Sequence, residues 1–360
     1  MRKQRAFIDI HVLQTVPPSC VNRDDTGSPK TAVYGGAVRS RVSSQAWKRA
    51  MRLYFMDQLG DENVGQRTKR IVDMVREQIE ARVSVPDAEA LAIKALTTAG
   101  LKIKDAKKGT DALFFMSHKQ AGNLASAAID DPACKDKDKF CQALKCDPSM
   151  DMVLFGRMVA DDPSLNYDAA SQVAHAISTH EVRNEYDYFT AVDDRKENDE
   201  SGAAHLDTNE FNSSTLYRYA TVNALELDKN LPGDAASVVR EFVEAFVRSM
   251  PTGKQNSYAN TTPVSDVYVT IRGDQPVNLV GAFEKPVSAG HGNGYLAGSR
   301  KALADYANRV YALGFADAPV KAMCVGDMAE ALGAENVTLN QLFDGVEEWV
   351  RAHVKDGGVV

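Results

Sequence analysis

Phe7-Ile8-Asp9-Ile10-His11-Val12-Leu13 sets Ile8, Ile10 and Val12 on one side of an extended chain and Phe7, Asp9 and His11 on the other. That alternation reads as a half-buried strand. Downstream, residues 14–42 are crowded with turn formers (Pro17-Pro18, Asn22, Gly27, Pro29, Gly35-Gly36), which predicts a long loop. A loop of that length inside a compact domain is usually functional. A helix follows, with Ser43 or Ser44 as its N-cap and Gly60 as its stop. On a helical period Trp47, Ala50, Met51 and Tyr54 share one face, and Gln45, Lys48, Arg49 and Arg52 the opposite one. Strand, loop and cationic helix form the opening unit.

Beyond it, residues 62–150 read as mostly helical, with helices over 70–82, 87–99 and 111–129. Met152–Phe155 is expected to be a short strand, and Ala169–Thr179 another helix. Between Asp193 and Glu210 a polar, Gly-containing stretch surrounds the single apolar Leu206, which predicts a protruding hairpin. Strands are expected over 216–223 and 267–271, and helices over 234–250, 300–313 and 340–353. With the helical insert removed, the order predicts an α+β fold: a split βαβ, ferredoxin-like sheet with helices on one face.

The chain has 360 residues, 44% hydrophobic and 25% charged, values that exclude wholesale disorder. No uncharged apolar run approaches the roughly 20 residues of a membrane helix. The basic start, Met1-Arg2-Lys3-Gln4-Arg5, runs into Asp9 and His11, which break the apolar stretch an export signal needs. A cytoplasmic location without membrane contact is therefore expected. Three of five cysteines are spaced Cys134-x6-Cys141-x4-Cys146, which is not a zinc spacing; free thiols are expected, with no metal and no cofactor.

Charge is distributed unevenly. Residues 1–56 hold ten basic and three acidic side chains, a net of +7, so a chain of total charge −7 leaves −14 for residues 57–360. From Thr26 to Met56 there are six cations and no acid. An anionic polymer responds to such a local field, because screening confines the interaction to about 8–10 Å.

No complete catalytic constellation emerges. His175 and His180, five apart, do not make an i, i+4 metal pair on the predicted helix. His11 has no nucleophile tied to it. Gly290-His291-Gly292-Asn293-Gly294 lacks the Lys-Ser/Thr of a P-loop. Asp24-Asp25 is the one carboxylate pair placed for metal-assisted hydrolysis.

Several blocks resemble, in order, the CasC-type backbone subunit of the type I-E CRISPR surveillance complex, Cascade, of the RAMP superfamily. They are Ile8–Leu13, Pro18–Asp25, Ser43-Ser44-Gln45-x-x-Lys48-Arg49-Ala50-Met51-Arg52, Gly156-Arg157-Met158, Ala174–His180, Phe189–Asp194, Ala204-His205-Leu206, Tyr217–Ala220 and Ala282–Lys285. The resemblance implies an RRM-like palm (1–59 and 182–360), an inserted helical fingers domain (60–181) and a β-hairpin thumb (193–216). It implies a non-catalytic protein that polymerises head to tail along CRISPR RNA and presents the spacer to target DNA. Its further partners would be a large subunit, small subunits and guide-end-capping subunits. Arg23, Lys30, Ser43, Gln45, Lys48, Arg49, Arg52, Lys254 and Gln255 would contact the RNA backbone. Met158, Phe189, Thr190 and Leu206 would wedge against bases at each displaced pair. The Lys135–Lys145 stretch departs from the family, because Asp136 and Asp138 interrupt its lysines. A related reading, an endoribonuclease cutting bound RNA through Asp24 or Asp25 with a divalent metal, is the alternative.

Overall fold

The computed structural model describes residues 5–105, 109–191, 205–290, 292, 294–355 and 358–359. Ten strands build its main sheet: β1 (Phe7–Ser19), β2 (Thr31–Tyr34), β3 (Ala37–Val42), β4 (Ser171–Val173), β5 (Ala176–Ser178), β6 (Glu185–Ala191), β7 (His205–Asn223), β8 (Asp266–Arg272), β9 (Lys321–Val325) and β10 (Glu335–Asn336). Their spatial order is β10-β9-β8-β1-β7-β5-β3-β2, with β4 and β6 also paired to β7. Among the described residues pairing is mostly antiparallel, and β9 with β10 is parallel. Twelve α-helices accompany the sheet among the described residues, giving a mixed α/β architecture. None of these helices is long and apolar enough to cross a membrane.

By internal packing the chain groups into two units, each discontinuous in sequence: residues 1–51, 173–221 and 242–346, and residues 52–172, 222–241 and 347–360. The first holds the sheet. β1 lies between β8 and β7, and helices pack on both faces of the sheet there, so both of its faces are buried and the expectation of a half-buried strand is corrected. Ile8, Ile10 and Val12 are fully buried, and so are Asp9 and His11. The buried polar face persists because it is bonded. Asp9 accepts from the Tyr219 hydroxyl at 3.0 Å and from the Val277 amide at 2.7 Å, and His11 Nδ1 lies 2.8 Å from the Tyr217 hydroxyl. Burial raises the Asp9 carboxyl to about 6 and lowers the His11 imidazole to about 3.

Helices cover both faces of the sheet, not one. Tyr217 and Tyr219 pack with Leu303, Ala304 and Ala307 of the helix Leu296–Ala312. Arg218, on the other face by alternation, lies 3.7 Å from the Trp47 ring centroid and 4.7 Å from that of Phe246. Trp47 belongs to α1 (Ser44–Leu59), the helix expected from sequence, and Ser43 caps it by accepting from the Ala46 amide at 3.3 Å.

Residues 14–42 are not a loop throughout. β1 runs on to Ser19, and 31–42 form a hairpin whose Gly35-Gly36 turn has φ of 59° and 74°, a pair that L side chains rarely adopt. At Gly35 a Cβ would collide with the Glu284 carbonyl. Ala169–Thr179 is likewise not helical; its apolar residues serve the strands β4 and β5, so His175 and His180 share no helix. Met152–Phe155 is helical, within Met150–Phe155.

The second unit centres on Ile71–Glu80, Ala88–Thr98, His118–Asp130 and Lys137–Lys145, whose Val75, Leu96, Leu124 and Phe140 share one core. The predicted helix over 111–129 begins only at His118, behind a capping box on Ser117 and Gln120. Its first residues instead supply a strand, Phe114–Met116, paired with Gln66–Thr68. All five cysteines are free.

Candidate nucleic-acid interface

Two sets of cations are built on the first unit. Asn22 Oδ1 accepts the Ser43 amide at 2.9 Å, and the Asn22 carbonyl accepts the Lys30 amide at 2.8 Å. The Lys30 carbonyl in turn accepts the Arg41 amide at 2.9 Å. One side chain and two backbone bonds thus tie the 20–30 loop to the hairpin and to the start of α1. His175 Nδ1 accepts the Ser44 amide at 2.9 Å, which requires a neutral imidazole. Burial first, then the charges of Arg41 and Lys30, lower its pKa. This edge therefore carries its charge on Lys30 and Arg41. Along α1, Gln45 and Arg49 are exposed and Lys48 is half-buried, while Trp47, Ala50 and Met51 are buried.

The second set is Arg23 with Lys254. Gly253 lies so close to the chain that a Cβ there would collide with the Val21 carbonyl, which seats the 253–258 turn on the loop after β1. Lys254, at φ 45°, donates to Asn209 of β7. The nearby Cys20 thiol is pushed up by burial, with Lys254 and Arg23 both opposing. Gln255 is exposed and donates to Thr261 Oγ1 at 3.1 Å.

Not every expected contact residue faces outward. The buried Ser43 is occupied as a helix cap. Arg52 bonds Asp151 at 2.8 Å and the Gly65 carbonyl at 2.6 Å, with its guanidinium 4.8 Å from the Phe115 ring centroid. Arg39, one of the cations counted in the basic stretch, is fully buried and donates to the carbonyls of Tyr34, Ser178, Phe283 and Glu284 at 2.8–3.3 Å. Arg41 counts from sequence only as one cation of the basic stretch and His175 only as half of a rejected metal pair; neither is expected at the helix start. Only the turn-forming Asn22 hinted that the 20s loop folds back on α1.

Of the wedge residues, Met158 is 87% exposed although its neighbour Arg157 is buried under four carbonyl or amide acceptors at 2.9–3.2 Å. Phe189 is 36% exposed. Thr190 and Leu206 are paired in register; their side chains lie outside the described residues, as does the hairpin's connection 192–204. His291 and Asn293 of the glycine-rich stretch lie outside them too. Asp24 has its Oδ1 taken by the Thr26 hydroxyl at 2.7 Å and by the amides of Thr26 and Ser28 at 2.9 and 3.1 Å. These bonds, led by the Thr26 hydroxyl, hold its pKa low. Among the described residues no three His, Cys, Asp or Glu side chains gather as a metal site.

Residues 8–350 match the family model described as CT1975-like protein (Cas_CT1975). A chain of a CRISPR RNA-guided surveillance complex in a pre-nicking state is 35% identical, with a TM-score of 0.83 over 96% of this chain and 100% of that one. A chain of another CRISPR RNA-guided surveillance complex is 30% identical, with a TM-score of 0.65 over 95% of this chain and 98% of that one. No curated protein matches.

Proposed function

Because the chain belongs to the CT1975-like family of Cas proteins, we propose that it is a non-catalytic, RNA-binding backbone subunit of a type I-E Cascade surveillance complex. In this reading copies stack head to tail on a CRISPR RNA, beside large, small and guide-end-capping subunits, and present the spacer to target DNA. The observation that carries it is the basic edge: Lys30 and Arg41 at the start of α1, Gln45 and Arg49 along it, and Arg23 with Lys254 beside Cys20, on a chain whose net charge is −7. The order β8-β1-β7-β5, with α1 and Ala235–Arg248 as the intervening helices, supports an RRM-like palm of 1–59 and 182–360 to which β5 (Ala176–Ser178) adds a strand from just before residue 182. The fingers would be 60–181 and the thumb 193–216. Sequence would be read by base pairing, and the protein would hold backbone and shape.

Purification with its genomic neighbours, deproteinisation and sequencing of the released nucleic acid tests the reading. RNA of uniform length, a spacer flanked by repeat, is expected; random cellular RNA or none would overturn it. Lys30→Ala and Arg49→Ala should each reduce the log–log salt slope of guide binding by about 0.7, the single-strand value per phosphate. Guide preference should stay unchanged, and an altered preference would remove these residues from the backbone grip.

The alternative of metal-dependent RNA cleavage through Asp24 or Asp25 is disfavoured by the Asp24 carboxylate, which is engaged in shaping its own loop. Incubating the particle with complementary RNA and magnesium should leave that RNA intact. Cleavage abolished by Asp24→Ala or Asp25→Ala would reverse the assignment.

A further inference from the structure

His180 stands at the root of the β6–β7 hairpin with both ring nitrogens committed. Nε2 accepts the Thr215 amide of β7 at 3.1 Å, and Nδ1 lies 2.8 Å from the Glu181 carbonyl. A carbonyl only accepts, so the proton is on Nδ1 and the imidazole is neutral. The ring lies flat against Tyr295, at the start of the helix Leu296–Ala312, with centroids 3.5 Å apart and planes 9° from parallel. The preceding Thr179 makes parallel attachments. Its amide donates to the Thr215 carbonyl at 2.8 Å, and its hydroxyl accepts from Ser299 Oγ of the same helix at 2.8 Å. One imidazole thus joins β7, the segment that enters β6, and a helix.

That arrangement suits the neutral form alone. A second proton would sit on Nε2, facing the Thr215 N–H donor to donor and leaving that amide without its acceptor. His180 is buried, and burial depresses its pKa most; the bond to the Glu181 carbonyl opposes this, and the Arg39 guanidinium adds to it. Arg39 is held nearby through the Ser178 carbonyl at 3.0 Å. Beside the ring lies a cavity of about 430 Å³, lined among others by Glu181, Arg183 and Glu185, alternate residues of the segment entering β6, with Ser213 of β7 and Tyr295. Two carboxylates against one guanidinium suit this space to an imidazolium. We propose that His180 is a proton-operated latch: neutral, it fastens the hairpin root to the helix; protonated, it releases the Thr215 amide and turns into the cavity against Glu181 and Glu185. The inference stands apart from the RNA-binding reading. The released ring has the ordinary pKa near 6.5 and the fastened ring a lower one, so the latch is closed above about pH 6.5 and opens progressively below it.

The test is amide hydrogen exchange of the full chain, resolved to single residues and corrected for the intrinsic effect of pH. Between pH 7.5 and 5 the opening equilibrium at the Thr215 amide should rise about tenfold, while the amides that pair β1 with β8 stay protected. Level protection at Thr215 across that range overturns the latch. An equal rise throughout the sheet also overturns it, since that is general loosening. His180→Gln offers an acceptor to the same amide without a group that titrates. Thr215 should stay protected in this variant and lose its pH dependence; an acid rise as large as the parent's would place the sensor elsewhere and the latch would fall. The double variant Glu181→Gln, Glu185→Gln should keep the protection at pH 7.5 and blunt the acid rise, and an unaltered rise would overturn the cavity as the ring's destination. Should His180→Gln not fold, the parent's profile and the double variant decide the matter.

Discussion

Arg218→Ala is expected to lower the free energy of unfolding by roughly 3–5 kcal/mol, the range found when a large buried side chain is cut back to alanine. Arg218 is 1% exposed, stacked on Trp47 and near Phe246, and it donates to Gln14 Oε1 at 2.7 Å and to the Phe246 carbonyl. Burial lowers its pKa to about 9, a sign of how far the guanidinium is removed from water. Truncation would empty the site, end the cation–π contact and leave the Phe246 carbonyl and the Gln14 oxygen short of a donor. Part of that loss is returned, because the charge itself is costly to bury. Arg218→Met separates the contributions, since it fills most of the volume without charge and should cost clearly less than alanine. Guanidinium denaturation of both variants measures the difference. Equal losses would show that bonding and charge, not volume, dominate at this position.

Asp9→Asn should reveal a pH dependence that the parent protein conceals. Folding raises the Asp9 carboxyl from 3.8 to about 6 and lowers the His11 imidazole from 6.5 to about 3. As pH falls from about 6 to 3.8, the folded protein gains a proton on Asp9 before the unfolded chain does, which adds stability. Over the same range the unfolded chain gains a proton on His11 that the folded protein refuses, which removes stability. The two slopes oppose each other at about 1.4 kcal/mol per pH unit each, so this pair leaves stability nearly level between about pH 4 and 6. With asparagine at position 9 only the histidine slope remains, and stability should fall by roughly 2–3 kcal/mol from pH 6 to 4. His11→Gln should do the opposite and gain stability on acidification. Urea titrations at several pH values check both, and parallel profiles for parent and Asp9→Asn would refute the pairing.

Much of the framework is legible in the residues, and the failures have physical causes. β1 declares itself through Ile8, Ile10 and Val12, but a strand does not reveal that a helix about 290 positions on, Leu296–Ala312, covers its second face, so the burial of Asp9 and His11 could not be read. The Gly35-Gly36 pair between Thr31–Tyr34 and Ala37–Val42 is a hairpin signal that the surrounding prolines and glycines masked. Ala169–Thr179 looks helical because strands as short as β4 and β5, three residues each, are too brief to set a period of two. The cationic face of α1 was readable from spacing. Spacing cannot tell Arg49, which is exposed, from Arg52, whose partner Asp151 lies 99 positions away. Arg39 misleads for the same reason: three of its four acceptors, at positions 178, 283 and 284, are far along the chain.

The long reach of Arg39 also bears on how the protein is made. β1 is synthesised before its neighbours in the sheet, β7 and β8, and the hairpin after it is pinned by Arg39 to carbonyls at positions 283 and 284. At translation rates of about 5–20 residues per second, roughly 15–50 s separate the appearance of Arg23 from that of Glu284. During that interval the cationic N-terminal segment has no sheet to order it, and non-local pairing of this kind is slow to form. The hairpin that carries Arg41 gains its Arg39 anchors only once Phe283 and Glu284 have been made, so the surface proposed to grip RNA is completed late relative to the synthesis of its own cations.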